Sequence, residues 1–208
     1  MAGTGWETPP WKNIPAAALT HYMGQKPEHF PGTGVKTAYD NEGVCVMFRV
    51  EDRYTRAVAE HHQDNVFEDS CVEFFFTTGT DISKGYFNLE MNCGGIMLFH
   101  FQTEREKNRI IIPQQACEDI AIVHSLPRRV DPEIQVPVTW TVAYRIPIRL
   151  LEKYTKVALP APGVRWRGNF YKCGDKTSHP HWLTWSPVNV PLPDFHRPEF
   201  FGILEFEG

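Results

Sequence analysis

The sequence has no long apolar run, no excess of basic charge and no closely paired cysteines. Without an apolar run of about 20 residues, a transmembrane helix is excluded. The formal net charge of -4 provides no positive field, so neither nucleic acid nor an anionic membrane is an expected partner. A G-x-S-x-G nucleophile motif is also missing.

The five cysteines are odd in number, and none of them forms a C-x-x-C pair. This usage predicts reduced thiols and slightly favours a cytoplasmic setting. Residues 1–11 lack the positive and then apolar pattern of a signal peptide. A signal removed earlier would instead place the protein outside the cell, so the sequence leaves the localisation open.

The 17 prolines and 15 glycines are scattered and divide the chain into many short segments with alternating hydrophobicity. We predict an all-β fold, a single-domain antiparallel β-sandwich with one short helix at Ile148–Tyr154. Residues 1–34 are predicted to be an irregular N-terminal arm packed on the domain, which spans 35–208. The predicted strands are Val35–Tyr39, Val44–Glu51, Cys71–Phe76, Tyr86–Asn92, Ile96–Phe101, Ile120–His124, Val138–Ile146, Arg165–Tyr171, Trp182–Pro187 and Phe200–Phe206.

One strand, Cys71–Phe76, carries a carboxylate in an unusual setting. Alternation places Val72, Phe74 and Phe76 on the predicted core face and Glu73 on the other, among apolar neighbours. A carboxylate there needs a partner or a ligand. We therefore take Glu73 as the first candidate site residue.

Three predicted strands have a polar face that is unusually rich in amides, carboxylates and guanidinium groups. If the strands share a sheet, these groups form one surface whose members can each bond two adjacent hydroxyls, as on a sugar ring. The plain alternative is a solvated outer face. The residues are Glu73, Tyr86, Asn88, Glu90, Asn92, Arg165, Arg167, Asn169 and Tyr171.

A sugar ring also needs a flat apolar surface, which aromatic side chains supply. Trp182 and Trp185 are three residues apart, so on a strand they would face opposite ways. Trp185 lies near Pro187, and we predict it to be the exposed member of the pair.

Four motifs follow one another along the chain: Asp69–Phe75, Tyr86–Asn92 with Gly95, Trp166–Tyr171, and Trp185–Pro187 with Phe195–Gly202. From roughly Lys36 to the C-terminus the chain thereby resembles carbohydrate-binding module family 9. The resemblance implies a β-sandwich that binds free sugars or the ends of glycan chains without cleaving them, usually beside a glycoside hydrolase. It also implies a ring held between two aromatic side chains, hydroxyls bonded by Glu, Asn and Arg, and commonly structural calcium.

Carried over to this sequence, the resemblance assigns six ligand-binding residues and a possible calcium site. Glu73 matches the family's Glu, Trp185 matches one aromatic position, and the second falls near Phe67. The resemblance also assigns hydroxyl bonding to Asn92, Arg167 and Asn169. The calcium candidates are the loop carboxylates Asp40, Glu42 and Asp69.

Two alternative functions use residues on the same strands. Glu73 and Glu90 are a candidate carboxylate pair of a glycan-processing enzyme. Met91, Met97 and His100 are the candidate axial ligands of a haem-binding redox domain, although the two methionines fit core packing better.

Overall fold

The computed structural model describes residues 5–105 and 107–208, which form two facing antiparallel sheets and a separate two-stranded sheet. The first sheet has the strand order β1-β3-β4-β12-β10. Its long strands alternate apolar and polar residues, which is typical of a sheet with one buried face. The bounds are β1 Ala17–Ala18, β3 Gly32–Tyr39, β4 Gly43–Asp52, β10 Ala121–His124 and β12 Val138–Pro147.

The second sheet carries the candidate site and has the order β2-β14-β13-β6-β7-β8-β9, with β15 also paired to β13. A separate pair joins β5 and β11. The bounds are β2 His21–Tyr22, β5 Thr55–Ala57, β6 Cys71–Thr77, β7 Tyr86–Asn92, β8 Met97–Gln102, β9 Ile110–Ile111, β11 Val130–Ile134, β13 Arg165–Cys173, β14 Trp182–Thr184 and β15 Gly202–Glu205.

The predicted β-sandwich is confirmed, with differences in the short elements. The predicted helix is present as α2, Ile148–Leu151. A second short helix, α1 at Gln114–Glu118, was not predicted because its five residues are too few for a helical periodicity. The two-residue strands were missed for the same reason. None of the helices described is long and apolar enough to cross a membrane.

The main core lies between the two sheets. Val72, Phe74 and Phe76 of β6 are buried there, as their alternation predicted. Phe74 stacks on Phe170 of β13 with ring centroids 4.7 Å apart, and Phe76 stacks on Trp166 at 5.6 Å. These contacts fix which face of β6 remains for Glu73.

The N-terminal segment packs along both sheets. Strand β1 pairs with β3, and β2 pairs with β14. Strand β3 begins at Gly32, three residues before the predicted start of the domain at 35. Residues 1–4 of the predicted arm lie outside the described residues, and the division into arm and domain stays a prediction.

The outer face of the second sheet is covered by the C-terminal segment 188–201. Val188, Phe195 and Phe201 pack against Phe75 and Tyr171 of the sheet. The ring of Phe195 stacks on Tyr171 with centroids 4.1 Å apart. Because this cover is incomplete, a cavity remains over β6, β7 and β8, where the polar residues of the sheet lie.

Candidate functional site

The cavity has a volume of about 470 Å³ and lies between the outer face of the second sheet and the C-terminal segment. This size is within the usual range for small-molecule sites. Its wall combines carboxyl and amide groups with flat aromatic rings. The main lining residues are Phe67, Glu73, Asn88, Glu90, His100, Gln102, Arg105, Arg109, Cys173, Asp175, Trp182, Asp194, Phe195 and His196.

The strand register brings the polar residues into rows across the sheet. Glu73 lies between Tyr171 of β13 and Glu90 of β7. In the next row, Asn88 lies between Phe75 and His100. Residues opposite one another in antiparallel strands share a face, so these side chains meet on the cavity side.

The two glutamates are buried, and burial disfavours their charged form. Burial raises the pKa of Glu90 to about 7, against the lowering effect of a hydrogen bond from Asn88. Burial also raises the pKa of Glu73 well above its usual value, and the neighbouring Cys173 and Glu90 raise it further. The Cys173 thiol donates to Glu73 Oε1 at 3.0 Å.

A hydrogen-bond chain orders the polar side of the cavity. Asn88 Nδ2 donates to Glu90 Oε1 at 2.9 Å, and Gln102 Nε2 donates to Asn88 Oδ1 at 3.2 Å. Gln102 Nε2 and the Tyr86 hydroxyl both lie within 3.0 Å of His196 Nδ1, which therefore accepts. Burial lowers the pKa of His196 to about 4, so its ring is neutral at pH 7.

Trp182 and Phe67 provide aromatic surface in the cavity. Both are half-buried and pack on the same small cluster, which includes Leu98 and Cys173. Trp182 Nε1 donates to Asp175 Oδ1 at 2.8 Å, which fixes the orientation of the indole. Two half-exposed rings, of which the indole is fixed in orientation, can receive the apolar face of a ligand.

Arginines lie at the β8–β9 end of the cavity. Arg105 pairs with Asp194 of the C-terminal segment at 3.0 Å, and this ion pair links the cover to the sheet. Arg109 is exposed and also lines the cavity.

Of the six predicted ligand-binding residues, Glu73 and Phe67 line the cavity and the other four do not. The two tryptophans are both half-buried and lie in different places. Trp185, predicted to be the exposed member, packs against the main core, with its ring centroid 5.7 Å from that of Phe170 and the indole against Gly202. Trp182, predicted to be the core residue, lies in the cavity wall.

Asn92, Arg167 and Asn169 bond to the protein itself. Asn92 accepts from the backbone N–H of Gly94 and Ile96 and so orders the β7–β8 turn. The Arg167 guanidinium donates to the carbonyls of Phe201 and Glu199, and Asn169 bonds both the N–H and the carbonyl of Ser186. Their polar groups hold loops in place rather than facing the cavity.

Several cavity residues were missed, and one of them had a signal in the sequence. On β14, the neighbours Trp182 and Leu183 face opposite ways. Leu183 is apolar and therefore indicates the core face. Trp185, two residues further along, shares that face, which leaves Trp182 on the other one. Asn88 and Glu90 belonged to the predicted polar surface without a ligand-binding role. Gln102, Asp175 and His196 had no usable signal, because only the pairing of distant strands and the course of the C-terminal segment bring them to the cavity.

The calcium candidates do not meet in one oxygen cluster. Asp40 and Glu42 lie beside Arg145, with Asp40 Oδ1 2.7 Å from its Nη2. Asp69 is buried elsewhere, where it accepts from Arg56 and from the N–H groups of Val58 and Ala59. Carboxylates already satisfied in this way do not fit a calcium site, and calcium binding stays a prediction without support from this geometry.

The candidate haem ligands do not converge. Met91 and Met97 are buried in the core between the sheets. His100 belongs to the opposite face of β8 and lines the cavity. The sheet therefore separates the methionines from the histidine.

The fold and the cavity define a β-sandwich ligand-binding domain. The sequence model of carbohydrate-binding family 9 matches residues 11–206. Because this match covers most of the 208 residues, the chain belongs to carbohydrate-binding family 9. A search of curated proteins returned no match.

Solved structures agree with this assignment. A candidate carbohydrate-binding protein from Bacteroides uniformis ATCC 8492 is 30% identical, with a TM-score of 0.87 over 100% of this chain and 94% of that one. A family 9 carbohydrate-binding module from Caldicellulosiruptor kristjanssonii in complex with glucose is 12% identical, with a TM-score of 0.65 over 97% of this chain and 88% of that one. A second structure from that organism, in complex with cellotriose, has a TM-score of 0.63 at 12% identity and covers 97% of this chain and 86% of that one.

Proposed function

We propose that this domain binds a free sugar or the end of a glycan chain in the cavity and does not cleave it. The observation that carries the proposal is one cavity that combines the Trp182 and Phe67 rings with the ordered side chains of Asn88, Glu90 and Gln102. Family membership and the glucose and cellotriose complexes of the structural neighbours support it.

The groups suit the two kinds of surface that a sugar presents. Trp182 and Phe67 receive the C–H face of the ring, while amide and carboxyl groups exchange hydrogen bonds with its hydroxyls. The chain from Gln102 through Asn88 to Glu90 fixes these groups before a ligand arrives. Such preorganisation lowers the entropic cost of binding.

The setting of Glu73 argues against glycoside hydrolysis. In a glycosidase both members of the carboxyl pair reach the scissile bond. Glu73 and Glu90 are direct cross-strand neighbours, but Glu73 is 1% exposed and accepts a hydrogen bond from the Cys173 thiol. A carboxyl group that is buried and bonded in this way does not suit attack on a sugar carbon or activation of a water molecule.

Titration calorimetry with glucose, cellotriose and a panel of other mono- and disaccharides tests the proposal. We expect dissociation constants in the micromolar to millimolar range, which correspond to binding free energies on the order of -4 to -8 kcal/mol. Incubation of the same sugars with the protein, followed by analysis of the products, tests for cleavage. The proposal is wrong if no sugar binds, or if sugar is released and the release disappears in either Glu73→Gln or Glu90→Gln.

A further inference from the structure

Three potential metal ligands lie together in the sheet at the edge of the cavity. The Sγ atoms of Cys71 and Cys173 and a carboxylate oxygen of Glu73 all lie within 4.8 Å of one another. The three residues are buried. Within residues 5–105 and 107–208, no other group of three cysteine, histidine or carboxylate ligands is as close.

The strand register creates this group. Cys71 and Glu73 are two residues apart on β6 and therefore share a face. Cys173 of β13 lies directly opposite Cys71, on the same face. Both strands are inside the sheet, bonded on each side, so the three Cβ positions are held rigidly.

The spacing suits one small thiophilic cation. Zinc binds thiolate sulfur at about 2.3 Å and carboxylate oxygen at about 2.0–2.2 Å, and tetrahedral geometry then separates two sulfurs by about 3.8 Å. The observed ligand atoms are at most 4.8 Å apart, so they exceed the sulfur–sulfur separation of a zinc site by no more than about 1 Å. Rotation of the side chains alone can close this gap. Two thiolates and one carboxylate favour zinc over calcium or magnesium, which prefer oxygen.

Two further carboxyl groups lie close to the three ligands, and neither of them is in an ion pair between described residues. Glu90 and Asp175 line the same cavity as Glu73 and Cys173. Lys172 projects to the other face of β13, where its Nζ lies 3.6 Å from Asp52 Oδ2. None of the ion pairs between described residues involves Glu73, Glu90 or Asp175.

We propose that Cys71, Glu73 and Cys173 bind one thiophilic divalent cation, with zinc as the expected metal. Glu73 and Cys173 line the cavity, so the fourth coordination position faces it and remains open to water. Binding releases the thiol protons of Cys71 and Cys173 and the carboxyl proton of Glu73 to water, and the metal replaces the hydrogen bond from Cys173 to Glu73. The site does not depend on saccharide binding.

The test measures metal binding by the reduced full chain without any sugar. Competition with a chromogenic chelator gives the zinc affinity, and Co²⁺ substitution reports thiolate coordination through its near-ultraviolet charge-transfer band. We expect one ion per chain. Cys71→Ser and Cys173→Ser should each weaken binding at least about 100-fold. The matched control is Cys117→Ser, since Cys117 is buried but lies outside the group, and it should leave the affinity unchanged.

X-ray absorption on the zinc-loaded natural sequence needs no variant and should show two sulfur scatterers per metal. A thermal unfolding scan shows whether a variant that fails to bind metal is still folded. If a serine variant does not fold, the nearly isosteric Glu73→Gln provides a second test and should also weaken zinc binding. The proposal is overturned if the natural sequence retains no metal, if no sulfur is found, or if Cys71→Ser binds as tightly as Cys117→Ser. Calorimetry of the metal-free protein with sugars decides the saccharide proposal separately.

Discussion

Glu73 and Glu90 lie directly opposite each other on β6 and β7, and both are buried on the cavity face. Like charges in such positions repel, and burial adds to the cost of ionisation. The pair therefore favours a protonated state that ordinary surface glutamates do not have at neutral pH.

The first prediction concerns the pH dependence of stability through Glu90. Burial raises the pKa of Glu90 from 4.5 to about 7, so the folded state binds more protons than the unfolded state between those values. Its contribution is thus fully present below pH 4.5 and is lost as the pH rises through 7. Relative to Glu90→Gln, the natural protein should lose on the order of 3 kcal/mol of unfolding free energy across this range.

Urea unfolding at a series of pH values measures this difference. Glutamine keeps the oxygen that accepts from Asn88 Nδ2, so the comparison isolates the titration. Glu205→Gln is the matched control, because Glu205 is an exposed strand residue. The difference in unfolding free energy between this variant and the natural protein should change little with pH. If the difference in unfolding free energy between Glu90→Gln and the natural protein is constant with pH, the raised pKa of Glu90 is contradicted.

The second prediction separates the two tryptophans. Trp182→Ala should weaken saccharide binding at least about tenfold, because it removes the aromatic surface in the cavity. Trp185→Ala should instead lower the unfolding free energy by about 1–2 kcal/mol, because its half-buried indole packs on Phe170 and the main core.

Calorimetry and urea unfolding are needed on both variants, at a temperature where each is folded. Comparable saccharide affinity in Trp182→Ala and the natural protein would exclude the proposed aromatic contact. Loss of affinity in a folded Trp185→Ala alone would restore the assignment made from sequence.

The third prediction concerns Asn169, which the family resemblance assigned to the ligand. Its side chain is buried and bonds both the N–H and the carbonyl of Ser186. Asn169→Ala leaves these groups without partners and should cost about 1–3 kcal/mol of stability. Saccharide affinity of the folded variant should be unchanged.

Thermal unfolding and calorimetry together test this role. Asn189→Ala, at an exposed position of the C-terminal segment, serves as the control and should alter neither quantity. A variant of Asn169 with normal stability and no affinity would indicate direct ligand contact.

The fourth prediction concerns the buried ion pair of Lys172 and Asp52. Burial raises the pKa of Asp52, but the Lys172 ammonium and the His29 hydrogen bond outweigh it and hold the pKa below its usual value. Lys172→Met leaves the carboxylate without its cation and should cost about 3–5 kcal/mol. The double variant with Asp52→Asn should recover part of this loss.

The exposed pair of Arg165 and Glu205 at the other end of β13 gives a matched comparison. Arg165→Ala should cost no more than about 1 kcal/mol, since water screens that pair. Equal losses in Lys172→Met and Arg165→Ala, measured by urea unfolding, would show that burial does not strengthen the Lys172 interaction.

The sequence by itself determined the sandwich and the two faces of its central strands. Alternation along a strand has a period of two, so Val72 and Phe74 assign one face of β6 to the core and leave Glu73 on the other. The same rule places Trp185 on the face of Leu183 and Trp182 on the cavity face. The order of the four motifs along the chain indicates the family without any tertiary contact.

Only the tertiary structure decided which polar groups reach a ligand and which hold the protein together. Asn169 and Asn88 look alike in sequence, but Asn169 meets the backbone of Ser186 while Asn88 faces the cavity. That difference comes from the C-terminal segment, whose course over the sheet depends on contacts such as Phe195 on Tyr171. Strand alternation assigns a side chain to a face, but it carries no information about the distant segment that covers the face.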